Sequence, residues 1–139
     1  MDADAIIAAL GLQAHPEGGW FREIHRSPAP AGGRSPATSI YYLLKHGERS
    51  HWHRVDAVEI WHWHAGAALE LSISADGRAT DTHILGIALK DGARPQVVVP
   101  THAWQSARSL GAFTLIGCTV APGFEFSGFE LAPPGWQPG

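Results

Sequence analysis

Short strand-like segments follow one another along almost the whole chain, with no long helical pattern between them. Each is rich in β-branched, aromatic or alternating residues, and turn signals such as Asp76-Gly77 and Asp91-Gly92 separate them. The predicted strands are Trp20–Arg26, Thr38–Leu44, Ser50–His53, Val58–His64, Ala68–Ser74, Thr80–Leu85, Pro95–Val99, Ala103–Arg108 and Phe113–Val120. Strands without intervening helices favour an all-β, antiparallel sandwich or barrel over an α/β sheet.

One short helix is predicted before the strands, over residues 3–11. Asp2 or Asp4 can cap its first turn, and Gly11 can end it. A chain of 139 residues suits one domain, and we divide it into three parts. These are the helix and turn (residues 1–18), the barrel (residues 19–130) and a loop-like C-terminal tail (residues 131–139).

Composition excludes several classes of protein. Ten Lys and Arg stand against thirteen Asp and Glu, without a basic stripe, so general binding to nucleic acid is not expected. No apolar run is long enough to span a membrane, and the N-terminus is acidic where a signal peptide would be basic. A cytoplasmic, soluble protein is therefore expected. The single cysteine, Cys118, permits no disulfide within the chain and is predicted to be a core thiol.

Histidine is unusually frequent, with nine residues in the chain. His51 and His53 lie two apart in a predicted strand, a spacing that directs both side chains to the same face. Glu59 follows on the next strand. Two imidazoles and a carboxylate, with positions left for water or substrate, are an ordinary ligand set for a first-row metal ion.

Alternation along the next strand decides which residues can join this set. Glu59 lies on one face of Val58–His64, whereas His62 and His64 lie on the other. We therefore expect His62 and His64 to face outward or into a subunit interface. The residues predicted to face the interior are two histidines, one glutamate and two tryptophans: His51, His53, Glu59, Trp61 and Trp63.

The spacing of Gly47, His51-x-His53, Glu59 and Gly66 resembles the first signature of the cupin superfamily. The segment from Pro100 to Gln105 resembles the second signature with two departures: His102 stands at the position of a glycine, and Gln105 stands where a third metal-binding histidine is usual. Nearly the whole chain is similar to the small single-domain cupins of cupin family five, long listed as a domain of unknown function. The segments that carry this similarity are Leu12 to Ser27, Ser39 to Leu44, Glu59 to His62, Val99-Pro100, Trp104-Gln105 and Val120 to Phe124. The resemblance implies a jelly-roll barrel, a small-molecule pocket in its mouth and a homodimer.

Further polar residues are candidates for the pocket. Gln105 has small neighbours on its face, and a buried amide needs a partner such as a metal, a histidine or a substrate. Arg22 and Glu23 lie on opposite faces of the first long strand, so either an anion clamp or an acid–base group can face inward. Tyr41 and Tyr42 also face opposite ways, and we assign Tyr41 as the donor to a ligand oxygen. His15, in the turn before Pro16, is expected on the surface.

Three functions fit these residues. The first is a sugar or small carbonyl-acid isomerase or epimerase, in which His51, His53, Glu59 and Tyr41 transfer protons. The second is a metal-dependent oxygenase or lyase, with one divalent Zn, Mn, Fe or Ni ion on His51, His53, Glu59 and Gln105. The third is a non-catalytic cupin that binds a small ligand.

Overall fold

A computed structural model describes all residues, 1–139. One α-helix, eleven strands and two 3-10 turns follow one another along the chain. They are α1 (Ala3–Leu10), β1 (Gln13–Ala14), β2 (Trp20–Arg26), β3 (Thr38–Lys45), β4 (Arg49–Val55), β5 (Val58–Gly66), β6 (Leu69–Ser74), β7 (Asp81–Leu85), a turn at Leu89–Asp91, β8 (Gln96–Val99), β9 (Trp104–Ser109), β10 (Phe113–Ala121), a turn at Phe126–Gly128 and β11 (Phe129–Leu131). None of the helices has the length and apolar character needed to cross a bilayer.

The strands form two antiparallel sheets that pack face to face. The larger has the order β1-β2-β3-β10-β5-β8, and the smaller has the order β11-β4-β9-β6-β7. Many neighbours are distant in sequence, such as β3 with β10 and β4 with β9, as in a jelly roll. The all-β antiparallel prediction is therefore confirmed, but the sheets remain a sandwich with open edges and do not close into a barrel.

Each of the nine predicted strands is present, with ends that differ by at most a few residues. The pattern does not predict β1 and β11, which are too short to show alternation. β11 pairs with β4 through Phe129, Glu130 and Leu131. β11, which follows the turn at Phe126–Gly128, thus extends the smaller sheet to Leu131, the first residue of the predicted tail.

The predicted helix is also present. The side chain of Asp2 accepts a hydrogen bond from the amide of Ala5 at 2.8 Å, so Asp2 is the cap. The helix ends at Gly11, whose positive φ of 67° suits glycine. Ile6 on the inner face of α1 packs against Leu12 and Leu43, so α1 covers the outer face of the larger sheet.

The main core fills one end of the sandwich. Towards the other end, the inward residues of the strands line a cavity. On β10, Ile116 packs in the core, and Cys118 stands at the boundary, as a member of the core that also lines the cavity. On β3, Tyr42 packs in the core and Ile40 faces the cavity, and on β5 the change occurs between Trp61 and Glu59. Three neighbouring strands therefore leave the same end of the sandwich unfilled.

Candidate functional site

The unfilled end holds a partly open cavity of about 240 Å³. Its lining includes two histidines and two glutamates that are buried or nearly buried: His15, Glu17, His53 and Glu59. Its other walls are mostly apolar and aromatic. Buried ionisable groups gathered in one cavity are the usual signature of a functional site.

A buried ion pair joins His53 to Glu17. Nδ1 of His53 lies 2.9 Å from Oε2 of Glu17 and 2.7 Å from the carbonyl oxygen of His51, so one proton serves both acceptors. The Ser50 hydroxyl donates a further short hydrogen bond to Oε2 of Glu17. These contacts fix the histidine ring and leave its Nε2 without a partner in the protein. Only Ser74 Oγ is both fully enclosed and unpaired, so Nε2 of His53 is open to the cavity.

Glu17 reaches this position because its loop crosses directly over β4. The amide of His51 donates to the carbonyl of Glu17 at 2.8 Å. Gly18 follows with a φ of 109°, and a Cβ built there would lie 2.1 Å from the carbonyl oxygen of Arg49. Only glycine permits such close contact. Glu17 lies in the segment Leu12 to Ser27 that carries the family resemblance, but it is not among the residues predicted to form the pocket, although its place between Pro16 and two glycines marks it.

His15 belongs to the cavity and not to the surface, so the sequence prediction for it is wrong. Its Nδ1 accepts a hydrogen bond from the amide of Glu17 at 3.1 Å, and its Nε2 lies 3.3 Å from Oε1 of Glu17. The ring also packs edge-on against Phe21 at 4.5 Å. Burial lowers the pKa of His15, which favours the neutral ring that these contacts require.

A second chain of hydrogen bonds positions Glu59. Nε2 of Gln105 donates to Oε1 of Glu59 at 2.8 Å, and Nε1 of Trp61 donates to Oε1 of Gln105 at 2.7 Å. The buried amide of Gln105 thus has its partners in Glu59 and Trp61. The Cys118 thiol is a further hydrogen-bonding neighbour of the Glu59 carboxyl group, and Glu59 lines the cavity.

The ion pair shifts the pKa values of both of its members, His53 and Glu17, away from their ordinary values. Burial lowers the pKa of His53, but the adjacent Glu17 carboxylate and its hydrogen bond outweigh burial and raise that pKa to about 9. Burial raises the pKa of Glu17, yet the His53 charge and hydrogen bonds from His53 and Ser50 hold it below its usual range. At neutral pH the pair is therefore imidazolium and carboxylate.

Glu59 behaves differently. Burial raises the pKa of Glu59 to about 7, because the opposing effect of the His53 charge is partly offset by repulsion from Glu17. Burial also raises the pKa of the neighbouring Cys118 thiol well above its usual value, so this thiol is not a nucleophile at neutral pH. The cavity thus contains one carboxyl group that titrates near neutrality beside a charged imidazolium.

His51 does not join His53 in the cavity. The pairing of β4 with β9 shifts register between Ser50 and His53, which indicates a β-bulge. The bulge directs both Ser50 and His53 towards Glu17, whereas Nε2 of His51 donates outward to the carbonyl of Pro133 at 2.9 Å. The expectation that residues two apart share a face fails here because it requires a regular strand.

The predicted tyrosine and the second predicted tryptophan also lie elsewhere. Tyr41 packs in the cluster beneath α1 and against the ring of His64, on the outer face of the larger sheet. Tyr42 is the inward residue, but its hydroxyl donates a short hydrogen bond to the carbonyl of Gly18. Trp63 packs against the core and donates to the carbonyl of Ala67 at 3.1 Å. None of these side chains lines the cavity.

Of the two candidates on β2, only one reaches the cavity. Arg22 donates to the carbonyl of Leu10 at 3.1 Å, outside the cavity. Glu23 lies at the rim in an ion pair of 2.7 Å with Arg26. Both Glu23 and Arg26 line the cavity because the pairing of β2 with β3 shifts register between Glu23 and His25.

The donor set does not fit a metal centre. His51 diverges from His53, and both polar atoms of the Gln105 amide are already bonded to protein partners. No group of three or more His, Cys, Asp and Glu residues is arranged to hold a metal ion. Of the predicted set, His53, Glu59 and Gln105 lie near one another, but His51 does not join them, so the ligand set is incomplete.

Fold and cavity define the class of protein: a jelly-roll sandwich with a ligand-sized cavity between its sheets. The chain belongs to a family of the cupin superfamily, DUF985, whose family model matches residues 4–132. The predicted relationship is thus confirmed.

Solved structures support the same relationship. Protein SO0799 from Shewanella oneidensis is 40% identical, with a TM-score of 0.91 over 95% of this chain and 85% of that chain. A hypothetical protein from Leishmania major is 28% identical, with a TM-score of 0.88 over 98% of this chain and 90% of that chain. A variant of oxalate decarboxylase from Bacillus subtilis shares the fold at 14% identity, with a TM-score of 0.66 over 86% of this chain and 29% of that chain. No curated protein matches the sequence at a significant level.

Proposed function

We propose that the cavity binds a small carbonyl compound and transfers a proton at the carbon next to the carbonyl, as an isomerase or epimerase does. The observation that carries this proposal is the pair of titrating groups at one cavity. The pKa of Glu59 is raised to about 7, and the pKa of His53 is raised to about 9. Groups whose surroundings separate their pKa values in this way are suited to act as base and acid.

Glu59 is the proposed base. At pH 7 a substantial fraction of its side chain is ionised, and a base with a pKa near the working pH combines availability with strength. Gln105 holds Oε1, so Oε2 is the oxygen that takes the substrate proton. Trp61 orients the amide of Gln105 and thereby acts as a positioning residue.

His53 is the proposed acid. Its Nε2–H is the free donor of an imidazolium whose other nitrogen is held by Glu17. It donates to the carbonyl oxygen of the substrate, where negative charge develops as the neighbouring carbon loses its proton. Glu17 maintains the positive charge and the orientation of the ring.

The proton transfer balances without any other reactant. The C–H electron pair becomes the C=C bond of an enol, the carbonyl π electrons move to oxygen, and His53 supplies the hydrogen bond or proton there. Glu59 holds the abstracted proton and returns it. In a substrate with a hydroxyl next to the carbonyl, the intermediate is an enediol: return of the proton to the former carbonyl carbon, with loss of the neighbouring hydroxyl proton to form the new carbonyl, gives an isomer. Return to the opposite face of the original carbon, after the intermediate turns over in the cavity, gives an epimer.

Two other functions are distinguished by the same test. A metal-dependent oxygenase or lyase would need Zn, Mn, Fe or Ni on donors that diverge in this fold. A non-catalytic binding protein would use the same cavity without proton transfer. No observation favours either of these two functions over acid–base catalysis.

The test is hydrogen–deuterium exchange at carbon, followed by ¹H NMR in D₂O with chelator present. The probes are phenylacetone, phenylpyruvate and dihydroxyacetone phosphate, all of which have exchangeable protons next to a carbonyl. We expect at least one probe to exchange about 100-fold faster with protein than without it. The His51→Ala variant should retain this rate because His51 faces outward, whereas folded His53→Gln should lose it.

Three outcomes would contradict the proposal. Absence of exchange with every probe would remove proton transfer, and binding without exchange would favour the non-catalytic alternative. Exchange that disappears with chelator and returns with added metal would favour the metal-dependent alternative. Equal losses in folded His51→Ala and His53→Gln would contradict the assigned roles.

A further inference from the structure

We infer that the substrate is a neutral carbonyl compound with an apolar body of roughly aromatic size, and not a phosphorylated sugar or another anion. This inference rests on the proposed function and names the substrate class of the same cavity. It depends on the chemistry of the walls, on the excess of carboxylates over cations in the lining and on the size of the cavity.

An aromatic wall forms one side of the cavity. Phe124 contacts Phe126 and Phe129 at ring-centroid distances of 5.0 and 5.7 Å, and Phe126 lies 6.0 Å from Phe129. All three rings line the cavity, and Phe126 remains 60% exposed. An exposed phenylalanine held by two other rings at a cavity mouth provides apolar surface for a ligand.

Much of the remaining lining offers no partner to the hydroxyl groups of a sugar. It includes the apolar residues Phe21, Ile40, Val55 and Val120, and the two valines pack against Phe124 and Phe129. The hydroxyl of Thr38 accepts from the amide of Phe124 at 2.9 Å, so Thr38 can offer a ligand its O–H group. A polyhydroxylated ligand would lose water without recovering its hydrogen bonds there, which costs binding free energy. A ligand with one carbonyl needs only the donor that His53 provides.

The one cation at the rim is already paired with a carboxylate. Arg26 is the only arginine or lysine that lines the cavity, and its guanidinium is held by Glu23 at 2.7 Å and by the carbonyl of Phe124 at 3.0 Å. Glu125 adds another carboxylate to the lining. Arg34 lies 3.7 Å from Glu125, but Asp56 already binds its guanidinium.

The positive charge deeper in the cavity, on His53, is also paired with a carboxylate. Glu17 neutralises His53, and Glu59 contributes a further carboxyl group beside them. An anion would therefore meet more carboxylates than unpaired cations, which opposes its binding. A neutral ligand avoids this repulsion.

The size of the cavity limits the ligand further. About 240 Å³ is the space of roughly eight water molecules in the liquid. This lies just below the usual range for pockets that hold drug-sized ligands, so a sugar nucleotide is too large. A compound of roughly ten non-hydrogen atoms is the appropriate size.

The test measures binding with two matched probes and one polar probe. Phenylpyruvate replaces a methyl group of phenylacetone with a carboxylate, and dihydroxyacetone phosphate lacks the apolar body. By isothermal titration calorimetry at pH 7, we expect phenylacetone to bind at least about tenfold more tightly than phenylpyruvate. Dihydroxyacetone phosphate should show no binding at millimolar concentration.

Two variants test the physical reasons separately. Phe126→Ala should weaken phenylacetone binding several-fold, whereas Leu110→Ala should not. Leu110 is also exposed, at 44%, but it precedes β10 at the end opposite the cavity. Glu23→Gln should release Arg26 from its ion pair and selectively improve phenylpyruvate binding.

The outcomes separate this inference from the proposed function. Phenylpyruvate or dihydroxyacetone phosphate binding as tightly as phenylacetone, or no binding of phenylacetone, would overturn the substrate class. Exchange of dihydroxyacetone phosphate alone would also overturn it but would leave proton transfer in place. Preferential binding of phenylacetone without exchange of any probe would support the substrate class and contradict the proposed function.

Discussion

Replacing Glu17 by Gln is expected to lower the free energy of unfolding by about 3–5 kcal/mol near pH 6, because it leaves a buried histidine without its counter-charge. Urea denaturation followed by tryptophan fluorescence measures this loss as a shift in midpoint. The matched control is Glu130→Gln, which removes a 2.8 Å ion pair to Arg54 at a site where Glu130 is 56% exposed. Its cost should not exceed about 1 kcal/mol.

The pH dependence shows whether charge causes this loss. The pKa of His53 rises from 6.5 to about 9 on folding, so its stabilisation is complete below pH 6.5 and is lost as pH passes about 9. The pKa of Glu17 falls below 4.5, so its stabilisation is present above pH 4.5 and is lost as pH falls through the folded value. The difference between wild type and Glu17→Gln should therefore be greatest between pH 4.5 and 6.5. A difference that stays constant up to pH 10 would indicate lost packing and not a lost ion pair.

Replacing Glu59 by Gln is expected to slow carbon-bound hydrogen exchange by about 10²–10⁴-fold, because the base is removed. The fold should survive, since the new amide oxygen can still accept from Nε2 of Gln105. Because burial raises the pKa of Glu59 from 4.5 to about 7, its contribution to stability is complete below pH 4.5 and is lost as pH rises through about 7. Glu59→Gln should therefore be more stable than wild type at pH 8, which separates loss of activity from loss of structure.

The same assignment predicts a bell-shaped pH profile for wild-type exchange. The rate should rise as Glu59 ionises around pH 7 and fall as His53 loses its proton around pH 9. Because Glu17, His53 and Glu59 interact, the two apparent pKa values of this profile describe the three groups together and not single residues. A folded Glu59→Gln variant that exchanges at the wild-type rate would contradict the assignment of the base.

The strands and the short helix could be predicted because their signals are local. Alternation along β5 distinguishes the face of Glu59 and Trp61 from that of His62, and this strand runs without a break in alternation over that segment. The cap at Asp2 and the end at Gly11 likewise depend on residues within the helix or next to it. Such features need no knowledge of distant parts of the chain.

On β4 and β2, β-bulges interrupt the alternation, so the faces predicted from it are wrong for some residues. Each register shift depends on how the strand pairs with its neighbour, which is not visible in the strand's own sequence. As a result, His51 leaves the cavity although it lies two residues from His53. Arg26 enters the cavity together with Glu23, which alternation assigns to the other face.

Two further differences come from contacts distant in sequence. Glu17 becomes a cavity residue only because its loop lies across β4 and bonds with Ser50 and His53. Tyr41 and Tyr42 are both in apolar surroundings because α1 covers the outer face of the sheet near Tyr41. Both faces of β3 are therefore apolar near the two tyrosines, so alternation could not predict which tyrosine faces the interior.

The most direct test of this account is an NMR titration of His53 and Glu59 in the unliganded protein. Ring ¹⁵N shifts of His53 and the side-chain carboxyl ¹³C shift of Glu59 report their protonation separately. We expect the imidazolium of His53 to persist until about pH 9, while Glu59 titrates around pH 7. Midpoints near the ordinary values of 6.5 for His53 and 4.5 for Glu59 would contradict the account, because neither group would then be the acid or base proposed here.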